Sequence, residues 1–341
     1  MTNSEPVDVV IAGAGPAGLA AAIAAKRRGL TYRVFEKGSL VNSLLHYPAG
    51  MVFFTTPELM EIGNLPFVSP HDKPTRAEAL RYYRRVAETY ELDIAFDTPV
   101  TTIETSRFGG FDGFVVGTGG RAPSTTSARF LLMATGAYDF PNRLGIPGED
   151  LPHVSHYYGE PFAWYRKHVV VVGGKNSASE AALDLFRNGA RVTLVHRQAA
   201  LGEGIKYWVK PDIENRIAEG SIRARFNATV QEITPAGVVV RTPAGVEAIT
   251  ADAVFLLTGY RADNQLLASA GVDILNNGEY PRHDAVTYET NVPGLFLAGA
   301  VIAGRQSGRI FIENGRFHGE QVIQTVASRL AGARDEARAT P

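Results

Sequence analysis

Gly13, Gly15 and Gly18 stand in a G-x-G-x-x-G spacing directly after the run Val7 to Ala12, which is apolar except for Asp8. Glycines so placed let the backbone approach a pyrophosphate, and the helix they open offers bare N–H groups and a favourable dipole. Glu36 lies 23 residues after Gly13. There a carboxylate can accept from both hydroxyls of an adenosine ribose and would repel a 2′-phosphate, which fits FAD or NAD. The series returns at Gly173, Gly174, Lys175, Asn176, Ser177 and Ala178, again after an apolar run, His168 to Val172. His196 stands 23 residues after Gly173, followed by Arg197. With the acid gone and a permanent cation beside its position, the second site suits a 2′-phosphate, hence NADPH. A charged hydrogen bond of this kind is worth about 1.5–3 kcal/mol. The plainer readings make Glu36 a solvated strand end and Arg197 a surface arginine. One such fingerprint is weak; two in the same strand–turn–helix–strand context are strong.

Several residues around these turns stay open. Lys175 occupies a usual glycine position and either crowds the turn or reaches the cofactor phosphates. Ser177 either caps its helix and touches the pyrophosphate or is a plain cap. Lys206, Trp208 and Lys210 either meet substrate or face water. Met133-Ala134-Thr135-Gly136 and Leu256-Leu257-Thr258-Gly259 end two further apolar runs, one per repeat, and are placed to return the chain past a dinucleotide. Two bound dinucleotides imply hydride transfer between them, for which the protein supplies position and water exclusion. No residue is singled out as catalytic. His46, His71, His153, His156 and His318 read as structural or surface residues, and no histidine–carboxylate spacing predicts a metal.

Composition narrows the class. The chain has 341 residues, 45 % hydrophobic, with a formal net charge of -1 and no cysteine. A near-neutral chain has no basic field for nucleic acid or anionic lipid. Without cysteine there is no disulfide, thiolate metal site or cysteine nucleophile, so redox chemistry needs a bound cofactor. The apolar stretches are interrupted well before membrane-spanning length, and the short polar N-terminus is unlike a signal peptide. A cytoplasmic enzyme with no membrane partner is expected.

The elements that must position these residues follow from the same pattern. The spacing predicts helices over Ala17–Arg28, Thr75–Tyr90, Glu180–Phe186 and Arg309–Arg329. Thr75 and Glu78 form a capping-box pair, and Leu80, Tyr83 and Ala87 form that helix's apolar stripe. Strands are expected at 32–35, 98–105, 111–117, 128–134, 191–195, 223–229, 237–242, 253–257 and 294–299. A polar turn is expected at 117–127, a linker at 147–152 and a frayed end from Leu330. The fold class is α/β: two Rossmann-like, three-layer dinucleotide-binding domains, the second inserted into the first. Residues 1–150 and 272–341 would form the FAD domain and 151–271 the NADPH domain.

The residues resemble the low-molecular-weight thioredoxin reductase superfamily, and within it the bacillithiol disulfide reductases. The likeness runs from Val9 to about Gly319. Its specific stretches are Val172-Gly173-Gly174-Lys175-Asn176-Ser177-Ala178 and Phe311-Ile312-Glu313-Asn314-Gly315-Arg316-Phe317-His318-Gly319. Glu36-Lys37-Gly38, Val41-Asn42-Ser43, Val154-Ser155-His156-Tyr157-Tyr158 and Ile205-Lys206-Tyr207-Trp208 add to it. The resemblance implies that Gly13, Gly15, Pro16, Ala17, Gly18, Glu36 and Lys37 hold the FAD adenosine and pyrophosphate. Val100 would meet the adenine through its backbone, Gly136 and Gly299 would line the FAD path, and Ile310, on the helix starting near Arg309, would face the flavin pyrimidine. Gly173, Lys175, Asn176, Ser177, Ala178, His196, Arg197 and Gly259 would serve NADPH. It also implies a homodimer that reduces bacillithiol disulfide.

Three departures stand out. There is no C-x-x-C pair, so no dithiol relay can exist. Ala17 stands where many relatives have a cysteine, so thiolate attack cannot start from this chain. Gly299-Ala300 stands where many have Gly-Asp beside the flavin ribityl group. Electrons would leave the flavin directly, for a small-molecule disulfide or a small redox protein. The alternatives are a ferredoxin or flavodoxin reductase, or a flavin redox sensor that does not turn over. A flavin monooxygenase would carry an F-x-G-x-x-x-H run before the second fingerprint, and Pro161 to Val172 has none.

Overall fold

The computed structural model describes residues 5–108, 110–121, 123–276, 279–305 and 307–339. The chain forms two compact units, Met1–His46 with Gly50–Phe140 and Tyr260–Pro341, and Tyr47–Ala49 with Pro141–Gly259. The expected boundaries at 150 and 271 therefore move toward the N-terminus. The expected linker at 147–152 belongs inside the second unit. Gly148 (φ +79°) packs so tightly on the Ile233 carbonyl that a Cβ would overlap it. Glu149, 5 % exposed, accepts hydrogen bonds from the Leu144 and Gly145 amides, each at 2.8 Å. Proline and glycine here mark a packed turn, not a hinge.

In the first unit the strands run in the order Ile94–Ala95, Tyr32–Phe35, Val7–Ala12, Ser124–Met133, all parallel. Leu295–Leu297 pairs parallel with Ser124–Met133. The antiparallel strands Val100–Phe108 and Phe111–Thr118 attach to the Ser124–Ala128 end. Val9, Val10 and Ile11 are fully buried, as a parallel strand covered on both faces requires. The helix Pro16–Arg27 begins with proline and is buried from Ala17 to Ala25, with Lys26 and Arg27 in its last turn. Its small side chains let it lie close to the sheet, and its basic end suits the helix dipole.

The second unit repeats the plan. Arg223–Arg225, Arg191–Val195, His168–Val172, Ala253–Leu256 and Val154–Ser155 form one parallel sheet. Asn176–Arg187 packs Ala178, Ala181, Ala182, Leu183 and Leu185 into its core. Thr229–Thr234, Gly237–Thr242 and Gly245–Thr250 form an antiparallel sheet. Both units are Rossmann-like α/β folds.

Some elements depart from the sequence reading. The polar stretch expected as a turn is strand from Ser124 onward, because antiparallel partners satisfy its backbone. The expected strand at 223–229 is two strands separated by Asn227 at φ +49°. Thr75 and Glu78 do form the capping box. That helix buries Ala79, Tyr82, Tyr83 and Val86, a stripe turned slightly from the expected one because both tyrosines find carbonyl partners at Met60, Ile62 and Leu65. The expected helix from Arg309 to Arg329 is three pieces, Ser307–Arg309, Ile312–Gly315 and His318–Ala339. Its last piece continues well past Leu330, where fraying was expected; the last two residues of the chain lie outside the described ones. Among the described residues, no helix is long and apolar enough to cross a membrane.

Candidate functional site

Register brings the first set of glycines together. Ala12 and Leu297 both align with Met133, so the turns at Gly13, Gly136 and Gly299 all leave the carboxyl end of the first unit's sheet, where open α/β sheets bind ligands. Their φ angles are +109°, +74° and +74°, which favour glycine. A Cβ on Gly13 would stand 2.5 Å from the Ala134 carbonyl oxygen, and one on Gly18 would overlap the Gly13 carbonyl. Gly15 differs: among the described residues, none beyond its own chain neighbours comes within 4 Å of where its Cβ would be. The first and third glycines serve packing, and the second leaves an open approach for a ligand. Pro16 starts the helix, and Ala17 is buried.

Glu36 is 5 % exposed. Its Oε2 accepts from the Ala14 amide at 2.7 Å and its Oε1 from the Gly38 amide at 3.0 Å. Burial pushes its carboxyl above the ordinary range, while these two amides and the Lys37 cation act against that. Each oxygen has a second lone pair for a ribose hydroxyl. The Thr98 amide donates to the Glu36 carbonyl at 2.8 Å, so the segment leading to Val100 runs beside the carboxylate. Lys37 pairs with Asp139 at 2.6 Å, a partner without a local sequence signal. Ile310 lies between two short helical turns rather than on a long helix. Gly315 draws it in: a Cβ there would be 3.1 Å from Ile310 Cγ2 and 3.4 Å from Gly299 Cα. The cradle fits FAD: a buried, oriented carboxylate, an open glycine and three turns at one sheet edge.

The second cradle copies the first. A Cβ on Gly173 (φ +152°) would lie 2.6 Å from the Leu257 carbonyl oxygen and 2.8 Å from the Ala178 Cβ. Ala178 therefore fills the third glycine's place. Lys175 is extended and exposed. It corresponds to Gly15, where protein atoms leave room, so it does not crowd the turn. Ser177 is exposed in the first helical turn, and the N-cap is Lys175; the cap reading of Ser177 is thus wrong. Asn176 spends its side chain on protein, donating to the Gly204 carbonyl at 2.9 Å and accepting from the Lys206 amide at 2.8 Å. It pins the 204–206 loop to the cradle. Gly259 (φ +93°) closes the unit after Ala253–Leu256.

His196 occupies the position that Glu36 holds in the first cradle. Its ring lies flat against Gly174, where any Cβ would overlap it, and burial followed by the Arg197 charge pushes its pKa down. Arg197 is exposed beside it, as is Lys175 at the start of the helix. Lys206 answers neither open reading: it is 5 % exposed and its Nζ lies 2.7 Å from Glu180. Lys210 pairs with Glu203 at 2.7 Å, and Trp208 packs against the core.

Residues 10–299 match the family described as Pyridine nucleotide-disulphide oxidoreductase. Bacilliredoxin reductase Bdr of Bacillus subtilis is 42 % identical over 322 residues, 94 % of this chain and 97 % of that protein. The structure of bacillithiol disulfide reductase Bdr (YpdA) from Bacillus cereus superposes with a TM-score of 0.91 at 38 % identity, covering 95 % of this chain and all of that one. Its counterpart from Staphylococcus aureus gives 0.90 at 36 % identity, covering 96 % and 99 %. Kinship this close makes the chain an oxidoreductase with FAD and NADPH as cofactors. The chain belongs to the pyridine nucleotide-disulphide oxidoreductases and, within them, to the bacillithiol disulfide reductases among the thioredoxin-reductase-like flavoproteins.

Proposed function

We propose that this chain is an NADPH-dependent FAD reductase of a low-molecular-weight disulfide of the bacillithiol type, with no protein thiol in the electron path. One observation carries the reading: two like glycine cradles differ at the ribose position, Glu36 in the first and His196-Arg197 in the second. When bound, the two nucleotides would supply the redox chemistry: the nicotinamide would be the hydride donor and the flavin the two-electron carrier to the disulfide, whose conversion to two thiols also takes up a proton from solvent.

The chain's own residues bind and orient. Gly13, Gly15 and Gly18 admit the FAD pyrophosphate to the start of the Pro16–Arg27 helix, Glu36 holds the ribose, and Gly136, Gly299 and Ile310 line the path toward the flavin. Gly173, Ala178 and exposed Ser177 form the NADPH cradle, with Arg197 and Lys175 on its phosphates. Asn176 and Lys206 keep the loop beside it in place. The family likeness supports a homodimer working in the cytoplasm, and an acceptor that is either the small disulfide or a small redox protein carrying it.

The purified protein should be yellow, and NADPH should bleach it anaerobically. Adding bacillithiol disulfide should then drive NADPH loss above the oxygen background. Bleaching without that loss refutes the acceptor. Fast cytochrome c reduction on adding ferredoxin would point to a ferredoxin reductase instead. A colourless protein that takes up no flavin refutes the whole reading.

A further inference from the structure

His318 is 7 % exposed, and its Nδ1 lies 3.3 Å from the Gly299 nitrogen, whose N–H donates to it. A neutral imidazole that accepts at Nδ1 carries its proton on Nε2. Burial first, and the nearby His283 charge second, push its pKa down to about 4, so near neutral pH the acceptor is always present. The ring is held by Tyr288, stacked on it with centroids 4.3 Å apart and planes 26° apart. Tyr288 sits at φ +61°, a left-handed conformation that bulky residues rarely take and that the surroundings must enforce. His283 extends the stack at 6.5 Å from Tyr288, and its own Nδ1 lies 2.9 Å from the Pro281 carbonyl oxygen.

The turn so gripped has little slack. A Cβ on Gly299 would stand 3.0 Å from the Ala17 Cβ. Gly319, next to His318, packs so closely on the Pro16–Arg27 helix that its Cβ would lie 2.7 Å from the Ala21 nitrogen. Two neighbouring residues of one helix thus fix the Gly299 turn against the start of the first nucleotide-binding helix. Since Ala300 offers no side-chain hydrogen bond, the backbone of this turn must make the contact with whatever lies along it.

We propose that His318 is a positioning residue for the flavin, acting through the Gly299 amide, with Tyr288 as the wedge that orients its ring. This rests on the reading that FAD lies along the Gly299 turn. The strain at Tyr288 is then the cost of aiming one acceptor atom at one amide.

The test compares His318→Phe, which keeps a flat ring and loses the acceptor, with His318→Asn, which restores an acceptor. In the FAD-loaded protein, His318→Phe should bind FAD about tenfold more weakly and shift the flavin absorption bands and midpoint potential, while His318→Asn should stay within about threefold of wild type. A folded His318→Phe protein with wild-type flavin affinity, spectrum and potential overturns the proposal, as does a His318→Asn protein equally damaged. Should His318→Phe not fold, hydrogen exchange of the wild-type holoprotein decides: the Gly299 amide should be strongly protected, and fast exchange there overturns the role. Wild-type protein that binds no flavin overturns the reading of the cradle as well; flavin binding that His318→Phe leaves unchanged overturns only the role of His318.

Discussion

At the scale of single residues, the two proposed ribose positions differ in charge, and they were legible because each lies a fixed distance beyond its glycine turn. Arg197 is exposed beside a histidine kept neutral, so Arg197→Ala should lower the preference for NADPH over NADH by about ten- to a hundredfold; steady-state kinetics with both nucleotides measures it, and an unchanged ratio rejects the assignment. The partners of these residues were not legible. Nothing local in the sequence links Lys37 to Asp139, Lys206 to Glu180 or His318 to Gly299, because such pairs meet only when distant strands and helices assemble. His318 also makes a prediction about acid. Its folded pKa, about 4, lies below the ordinary value near 6.5. Between pH 6.5 and 4 the unfolded chain takes up a proton that the folded chain refuses, so stability falls as pH drops through this window and levels off below it. The contribution is on the order of 3 kcal/mol. Urea titrations should show a shallower pH slope for His318→Asn than for wild type; equal slopes would reject the shift.

At the scale of elements, the strand–turn–helix units were readable because their glycines do separable jobs. A methyl group on Gly18 would collide with the Gly13 carbonyl, whereas one on Gly15 would meet, among the described residues, none beyond its chain neighbours. Gly18→Ala should therefore lower the melting temperature of the apoprotein by several degrees, as overpacking that costs about 1–3 kcal/mol does. Gly15→Ala should melt like wild type yet take up FAD more weakly. Calorimetry and flavin titration separate the two, and a Gly15→Ala protein with full FAD affinity would show that the open approach is not used. Elements without such punctuation were misread. The Gly245–Thr250 strand has exposed Val246 and alternates with polar residues at an edge, so no apolar run announced it. The C-terminal segment expected as one helix from Arg309 to Arg329 is broken near Asn314 and Gly315. The break comes from Asn314 accepting the Phe311 amide at 2.8 Å and from Gly315 closing on Gly299.

At the scale of the whole molecule, internal repetition was the strongest signal in the sequence, and the boundaries between the repeats were the weakest. The main segment of the second unit, Pro141–Gly259, begins and ends at points that are bonded to each other: the Asn142 amide donates to the Gly259 carbonyl at 2.9 Å, and the Thr258 hydroxyl to the Asn142 carbonyl at 2.6 Å. With its own sheet and core, residues 141–259 should fold as a separate fragment and bind NADPH; circular dichroism and nucleotide titration test this, and an unfolded fragment would show that the unit depends on the rest of the chain. Adjacent ends have a further meaning. A segment whose entrance and exit touch can be lifted out, or exchanged for a cousin's, while the host strands keep their register. Natural recombination would meet few geometric obstacles here, so related chains could acquire new electron donors by replacing one cassette and leaving the flavin scaffold as it was.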